Sequence, residues 1–401
     1  MTKKKKWIII TIVIVLITNT CTFMFSDLAS VYLASHNVVI GNDTYKDILK
    51  FSKLFYIRNQ LYKAYDGNID DSKLIDGAIK GMTNALGDPY TVYMNKDDYT
   101  EYTTSFSGEY TGIGIQVEVK DNKIYVVSVF DGSPAKKTGM IMGDYIVKVN
   151  KEDVSGAELD KAIAKIKGKK GTAVLVTVDR KGKFIDMNIT RDNIVTSPVK
   201  GKIIEGNIGY VILSRFNENS SADLKKELDS LKKSGIKGLI LDLRGNPGGA
   251  LDQCVDIASE FIEKGKTILT VKDKNNNKQV YKSKGGDYTS IPMTVLVDEN
   301  SASASEVLTG ALKDYKRATV VGTKTFGKGI VQEMLNAGEG SVLKVTYAKY
   351  YTPNGNYIHK IGLEPDIKVV YDQKLLEQVY DEKKDPQLNK AIEVIKDKLI
   401  K

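Results

Sequence analysis

Apolar and polar positions change their spacing three times along the chain. From about Asn42 to Asp98 the apolar residues recur at three- and four-residue intervals. ILKFSKLFYIRNQLYKAY and SKLIDGAIKGMTNAL are the clearest runs, and they predict helices, the second capped by Asp71 or Ser72. GDPYTVYM ends that zone. Between 105 and 193 the pattern turns to alternation, predicting strands at Gly114 to Val119, Lys123 to Val129, Tyr145 to Val149 and Ala173 to Val178. Gly/Pro turns and one helix, Ala157 to Ile166, lie between them. From Gly209 apolar strands alternate with amphipathic helices: GYVILS, ADLKKELDSLKKSG, GLILDL, LDQCVDIASEFIEKG, TVLVD. That order predicts a largely parallel α/β sheet with chemistry at the carboxyl ends of its strands. Two loops fall there, Arg244 to Gly249 (RGNPGG) and Asn300 to Glu306 (NSASASE). The stretch from Asp372 to Lys401 is charged and predicted helical, with no chemistry assigned.

The N-terminus adds a location. Lys3 to Lys6 precede Trp7 to Phe25, an uncharged apolar run long enough to span a bilayer. The basic block stays inside, so a single-pass anchor would place the rest of the chain on the extracytoplasmic side of the cell membrane. A signal peptide cleaved near Ala29 or Ala34 is the alternative; the run is long for one. Cys21, in TNTC, is a poor match to a lipid-attachment box. The composition is that of a globular protein, 42% hydrophobic and 27% charged, and 401 residues allow two or three domains. The net charge of +9 is spread evenly, with no basic stripe interleaved with aromatics, so nucleic acid is not an expected partner. Cys21 and Cys254 are the only cysteines, and they build neither a disulfide framework nor a zinc cluster.

The candidate chemistry lies between Met293 and Gln332. The strand Val295 to Val297 runs into a small-residue turn, Ser301 to Ser305, and a helix from about Glu306 to Tyr315. A second strand, Ala318 to Val321, then feeds a Gly-bounded loop holding Lys328. A hydroxyl in a strand-to-helix turn, with backbone N–H groups facing outward, is what an acyl-transfer nucleophile needs. Ser301, Ser303 and Ser305 compete for that role, although serines at helix N-termini more often serve as caps. Only His36 and His359 could complete a histidine triad, and His359 is read as lying on a surface turn. Lys328, between Gly327 and Gly329, is the other candidate base. Lowering its pKa from about 10.4 to about 7 takes roughly 4.6 kcal/mol, which burial can supply if no acid stands beside it. Glu306 is the nearest acid and is expected to point away.

The segment Thr111 to Ile115 (TGIGI), followed by SPAKKTGMIMGDYIVKVN with Asp144 in the Gly-Asp turn, resembles a PDZ domain. That likeness implies that Thr111, Gly112, Ile113, Gly114 and Ile115 bind a peptide carboxylate. By themselves the two glycines would read as a bulge. ENSASASEVL, GTKTFGKGIVQ, LDLRGNPGG and YYTPNGNYI together resemble the C-terminal processing peptidases, tail-specific serine proteases, over residues 60 to 366. The resemblance implies an α+β multidomain chain. Its parts would be a cytoplasmic stub (1–6), the anchor (7–25), an N-terminal helical region (26–104), the PDZ domain (105–193), an α/β ClpP/crotonase-like protease core (194–366) and a helical tail (367–401). It further implies Ser303 as nucleophile, Lys328 as base and Gln332 as its orienting partner. The oxyanion hole would come from the amides of Gly249 and Ala304, with Gly248 as a further candidate. No cofactor or metal is expected. Implied partners are polypeptide tails and, through the terminal helices, a second copy of the chain. Where the family commonly carries an arginine that couples peptide binding to activation, this chain has Lys167. Arg244 reads equally as a structural ion-pair residue or a domain link. A catalytically silent PDZ scaffold is the alternative, against which the intact Ser303, Lys328 and Gln332 set argues.

Overall fold

A computed structural model of the chain describes residues 7, 11–15, 18, 28–33, 36–107, 109–130, 132–195, 197–371 and 381–400. The span Trp7 to Phe25 therefore lies mostly outside the described residues, as do Cys21 and the first part of the tail. Among the described residues no helix is long and apolar enough to cross a membrane. Two units separate, Met1–Ile79 and Lys80–Lys401.

The first unit pairs Leu28–Leu33 with His36–Gly41 in a hairpin ahead of helix Asn42–Ala64. The apolar spacing of that helix does make it helical, yet none of its residues is buried. Ile48, Leu49, Phe51, Leu54 and Phe55 are all exposed. Arg58 Nε reaches Asp71 Oδ1 at 2.7 Å and ties this helix to the start of the next.

In the second unit the alternating segment folds as expected, with Lys183–Thr190 and the two-residue strand Glu152–Asp153 added to its sheet. Lys183–Thr190, Ala173–Arg180, Tyr145–Val149, Lys123–Val129 and Ile115–Lys120 lie side by side in that order. Helix Leu159–Ile166 packs against them. Glu109–Gly112 and Asp192–Val195 pair antiparallel and close the module where the chain enters and leaves it. Asp144 is fully buried, held by Arg180 Nε at 2.7 Å.

The C-terminal core is a sheet in the order Val199–Ile204, Ile208–Leu213, Gly238–Asp242, Met293–Val297, Thr319–Gly322, Ile367–Lys368. Every pair but the first is parallel. Strands buried on both faces read as continuous apolar runs, and GLILD and MTVLV are buried throughout. Leu239, Leu241, Val295 and Val297 face helices Ser220–Lys233, Leu251–Phe261 and Ala304–Asp314. Ile240, Leu296 and Val321 face Leu388, Ala391 and Ile395 of helix Pro386–Ile400. The charged tail thus covers the second face of the core sheet. Arg244 is structural. Its guanidinium spans Asp242 Oδ2 at 2.7 Å and Asp385 Oδ2 at 2.8 Å, pinning the start of that helix to the end of a core strand. Burial works against its charge, but the two carboxylates outweigh it and hold its pKa up.

A second sheet carries Lys278–Lys282, Thr267–Asp273, Ser341–Tyr351 and Ile330–Gly338, with Val92–Met94 added on the edge of Ser341–Tyr351. Residues 92–94, expected within a helical region, are therefore a strand of the C-terminal core. Helix Lys96–Ser107 follows them.

Candidate active site

Ser303 is the residue before helix Ala304–Asp314, with φ 54° and ψ −113°. Positive φ is costly for a residue with a Cβ and is retained at functional turns. Two contacts hold it there. The Ser303 N–H donates to Glu306 Oε2 at 3.0 Å, and the Ser303 carbonyl accepts from the Tyr350 hydroxyl at 3.0 Å. The competing serines are occupied. Ser301 is fully buried and donates to the Leu243 carbonyl, and Ser305 is fully buried and donates to the Asn246 carbonyl. Ser303 alone of the three lines a cleft of about 390 Å³, with Gly249, Ala304 and Gln332.

The NPGG loop lies against this turn because its glycines allow it. A Cβ on Gly248 would come within 2.7 Å of the Ala302 carbonyl oxygen, and one on Gly249 within 2.0 Å of the Phe216 carbonyl oxygen. Gly248 N–H donates to Asn246 Oδ1 at 2.9 Å and is thereby unavailable to an oxyanion. Gly249 N–H and Ala304 N–H have no acceptor among the described residues. Of the three amides that the sequence suggests, Gly249 and Ala304 are thus the pair left open, side by side at the cleft.

Glu306 does not point away. It is fully buried, and its carboxylate joins the segments of Ser303 and Lys328. Oε2 accepts from Ser303 N–H and, at 2.8 Å, from Lys328 N–H; Oε1 accepts from Gly327 N–H at 2.8 Å and Thr325 Oγ1 at 2.6 Å. Tyr350 makes the complementary bridge, its buried hydroxyl reaching the carbonyls of both Ser303 and Lys328. Neither bridge was legible locally, because each joins residues far apart in sequence; a Glu three residues after Ser303 in a capping pattern was the one signal available.

Lys328 is half-buried, and its Nζ lies 4.6 Å from the ring centre of Tyr90. Among the described residues no hydrogen bond joins it to Ser303 Oγ. Burial pulls its pKa below that of an ordinary lysine and the Lys344 ammonium adds to this, while Asp88 and Glu306 act in the opposite sense. Gln332 follows a register shift in strand Ile330–Gly338, the irregularity that re-aims side chains beside active sites. Its Nε2 is buried in this cleft region without a hydrogen-bond partner. His359 does lie on a turn, but not a fully exposed one. It is half-buried, its ring meets Tyr90 edge-on with centroids 6.5 Å apart, and its backbone closes over Gly329. Burial lowers its pKa, and Lys360 reinforces that shift. His36 lies in the N-terminal unit, in strand His36–Gly41.

The PDZ residues border a larger groove of about 1040 Å³, open between the PDZ module and the core. Gly112, Ile113, Gly114 and Ile115 form one wall with Ile163, Ile166 and Lys167. Gly114 has φ 80°, and a Cβ there would meet Ser133 Cβ at 2.3 Å. The amides of Ile113 and Gly114 have no acceptor among the described residues, which leaves a cradle of the kind that holds carboxylates. Thr111 Oγ1 instead meets Asn193 Oδ1 at 3.3 Å.

Comparison with known proteins follows the same division. The pattern of peptidase family S41 matches residues 207–369, that of the PDZ domain residues 111–190, and that of the activating protease CtpB N-terminal domain residues 23–98. The chain is 42% identical over 320 residues to the carboxy-terminal processing protease CtpA of Bacillus subtilis, a span covering 80% of this chain and 69% of that one. It is 39% identical over 351 residues to the carboxy-terminal-processing protease of Bartonella bacilliformis, covering 85% and 80% respectively. The crystal structure of a candidate S41 protease from Bacteroides fragilis aligns with a TM-score of 0.56 at 16% identity, over 83% of this chain and 93% of that one, a likeness of fold alone. With a serine turn, open amides, a PDZ module and relatives matched over most of their length, the chain belongs to the C-terminal processing peptidases, PDZ-bearing serine proteases of peptidase family S41.

Proposed function

We propose that the chain is a membrane-anchored extracytoplasmic endopeptidase that captures the C-terminal tails of proteins in its PDZ groove and cleaves them with a Ser303–Lys328 dyad. The observation that carries the reading is Ser303 held at positive φ beside the two open amides of Gly249 and Ala304, its backbone bridged by Glu306 to that of a lysine of lowered pKa.

In this reading neutral Lys328 takes the Ser303 Oγ proton as Oγ attacks the scissile carbonyl carbon. Loss of its own proton beforehand removes the cation–π attraction to Tyr90 and frees the amine to turn toward Ser303. The oxyanion accepts from Gly249 N–H and Ala304 N–H. As the C–N bond breaks, the Lys328 ammonium returns the proton to the leaving amine. A water then attacks the acyl-enzyme with Lys328 again as base, and Ser303 is regenerated with its proton. Gln332 would orient the neutral lysine amine by accepting one of its N–H groups at Oε1, an uncharged contact that leaves the amine lone pair for the Ser303 proton. The exposed apolar side chains of helix Asn42–Ala64 support self-association of the full chain.

The test is cleavage of an unstructured protein across pH by the full chain and by Ser303→Ala and Lys328→Ala. Activity absent from both folded variants, and rising in the wild type with a pKa below the usual lysine value, is expected; turnover retained by either variant would sink the dyad. Anchoring is checked separately, by recovery in the membrane fraction and accessibility of the catalytic part from the extracytoplasmic side.

A further inference from the structure

We infer that Lys278, Lys272 and Lys349, side by side across the second sheet, form an exosite for an acidic stretch of the polypeptide substrate. This rests on the endopeptidase reading above and adds a substrate class to it.

The row follows from the strand register. Lys272 of Thr267–Asp273 stands opposite Lys278 of Lys278–Lys282 on one side and opposite Lys349 of Ser341–Tyr351 on the other. Residues directly opposite each other share a face, so the three side chains leave one surface of the sheet, where like charges repel and cost stability. Among the described residues none of the three makes an ion pair that would relieve the repulsion. Asp273, the neighbour of Lys272, turns its carboxylate to Asn275 N–H at 2.8 Å and to Asn277 Nδ2 at 2.7 Å instead. What the lysines do meet is aromatic. Lys272 Nζ lies 4.1 Å from the ring centre of Tyr351, and Lys349 Nζ 5.5 Å from that of Tyr357. A ring face holds an ammonium in place without neutralising it. Lys278 and Lys349 are exposed and Lys272 is half-buried, so the charge stays open to an anion.

This face is continuous with the catalytic cleft. On the other side of Lys349 the residue opposite it is Ile330, which lines the cleft with Gln332 and Ser303. The rings also run inward, from Tyr351 through Tyr357 and His359 to Tyr90, with centroids 5.5, 6.1 and 6.5 Å apart, and Tyr90 carries Lys328. With strands about 4.8 Å apart, Ile330 to Lys278 is about 14 Å, the reach of about four to five residues of extended chain. A substrate held at Ser303 and running out over this sheet sets side chains a few residues from the scissile bond against the lysines. Acidic ones are attracted there and basic ones repelled. The surface suits a peptide better than a bilayer, because the two tyrosines are half-buried and do not protrude as the apolar anchors of a membrane-surface element do.

The experiment uses an unstructured substrate with one cleavage site and a run of either glutamates or glutamines about five residues from it, placed on each side in turn. Turnover by the full chain is compared with that of the triple variant Lys272→Gln, Lys278→Gln, Lys349→Gln, at low and at high salt. At low salt the wild type should favour the glutamate form by about tenfold in kcat/KM on one side of the site, the combined worth of three exposed pairs, and lose that preference at high salt. In the triple variant the glutamate-to-glutamine ratio should fall to about one, with the glutamine form cleaved as by the wild type. Because the ratio is taken within one enzyme, partial unfolding cancels. Fluorescence anisotropy of the labelled substrates on chains carrying Ser303→Ala reads the same ratio without turnover. A ratio of one in the wild type, or an unchanged ratio in the triple variant, overturns the inference and leaves the endopeptidase reading intact. No cleavage of either form by the folded wild type overturns that reading and the inference with it. Protection of the three lysines from an acylating reagent by vesicles containing phosphatidylglycerol, and not by the glutamate substrate, would assign the face to a bilayer and likewise overturn the inference.

Discussion

Replacing Glu306 by glutamine tests whether the catalytic segments are held together by one buried carboxylate. Oε2 accepts from the backbone N–H groups of Ser303 and Lys328, and Oε1 from Gly327 N–H and the Thr325 hydroxyl. A glutamine must set its NH₂ against one of those pairs. Facing Ser303 and Lys328 it would orphan two buried donors. Facing Gly327 and Thr325 it orphans one, since the Thr325 hydroxyl can reverse and accept, so the second arrangement should prevail. One orphaned N–H costs about 1–3 kcal/mol, and two bonds losing their charge assistance cost about 1 kcal/mol each, for a total of about 3–5 kcal/mol. Urea unfolding of the folded variant should register that loss. The pH profile of kcat/KM supplies an independent check. Glu306 acts to raise the pKa of Lys328, so removing its charge moves the limb of rising activity to lower pH. The height of the profile should fall at every pH, because displacing a catalytic group by about 1 Å can cost about a hundredfold. A variant as stable as the wild type, or a limb displaced to higher pH, would refute the reasoning.

Lys344→Met should move the same limb the other way: the Lys344 cation lowers the Lys328 pKa, so without it the base is protonated to higher pH and neutral activity falls, and a limb that stays in place would separate the two lysines. Gly249→Ala should reduce kcat by about 10²–10³-fold, the usual worth of an oxyanion donor, because a Cβ 2.0 Å from the Phe216 carbonyl oxygen forces the loop away; steady-state kinetics near the wild-type value would remove Gly249 from the hole. Arg244→Ala leaves Asp242 and Asp385 facing each other without their cation and should cost about 3–5 kcal/mol in urea unfolding, whereas a loss under about 1 kcal/mol would mean that the tail helix is not anchored there.

What the chain discloses by itself follows from how local each feature is. MTVLV and GLILD read as buried strands because both faces are covered, and a run of small residues between a strand and a helix marks the Ser303 turn. Lys328 stands out through its flanking glycines, which the fold needs for a different reason: a Cβ on Gly329 would meet the His359 amide nitrogen at 2.6 Å. The second sheet was hidden because Ile330–Gly338 and Lys278–Lys282 are largely exposed and carry little apolar alternation, and Val92–Met94 is only three residues long. Tyr90, Tyr350 and the true setting of His359 were invisible for a simpler reason. Each acquires its role from a partner on another element, and spacing along the chain carries no record of that.

Glu306 is the instructive case, because the objection to an acid near the base was sound and its conclusion about geometry was not. A carboxylate beside a lysine ammonium stabilises the charged form and spoils a base. Here, however, both oxygens are saturated by four donors, and three of these are backbone N–H groups of the catalytic segments. The effect of Glu306 on Lys328 ranks behind burial, Lys344 and Asp88, and the dipoles of the three N–H groups point at the carboxylate and act against its field. The Lys328 side chain meanwhile lies over Tyr90, and no hydrogen bond to Glu306 is made by its Nζ. In the proposed dyad the acid thus fixes where Ser303 and Lys328 stand while leaving the proton affinity of Lys328 to burial. A neutral crosslink of the same shape could not do this, since three converging N–H groups require an acceptor with two equivalent oxygens.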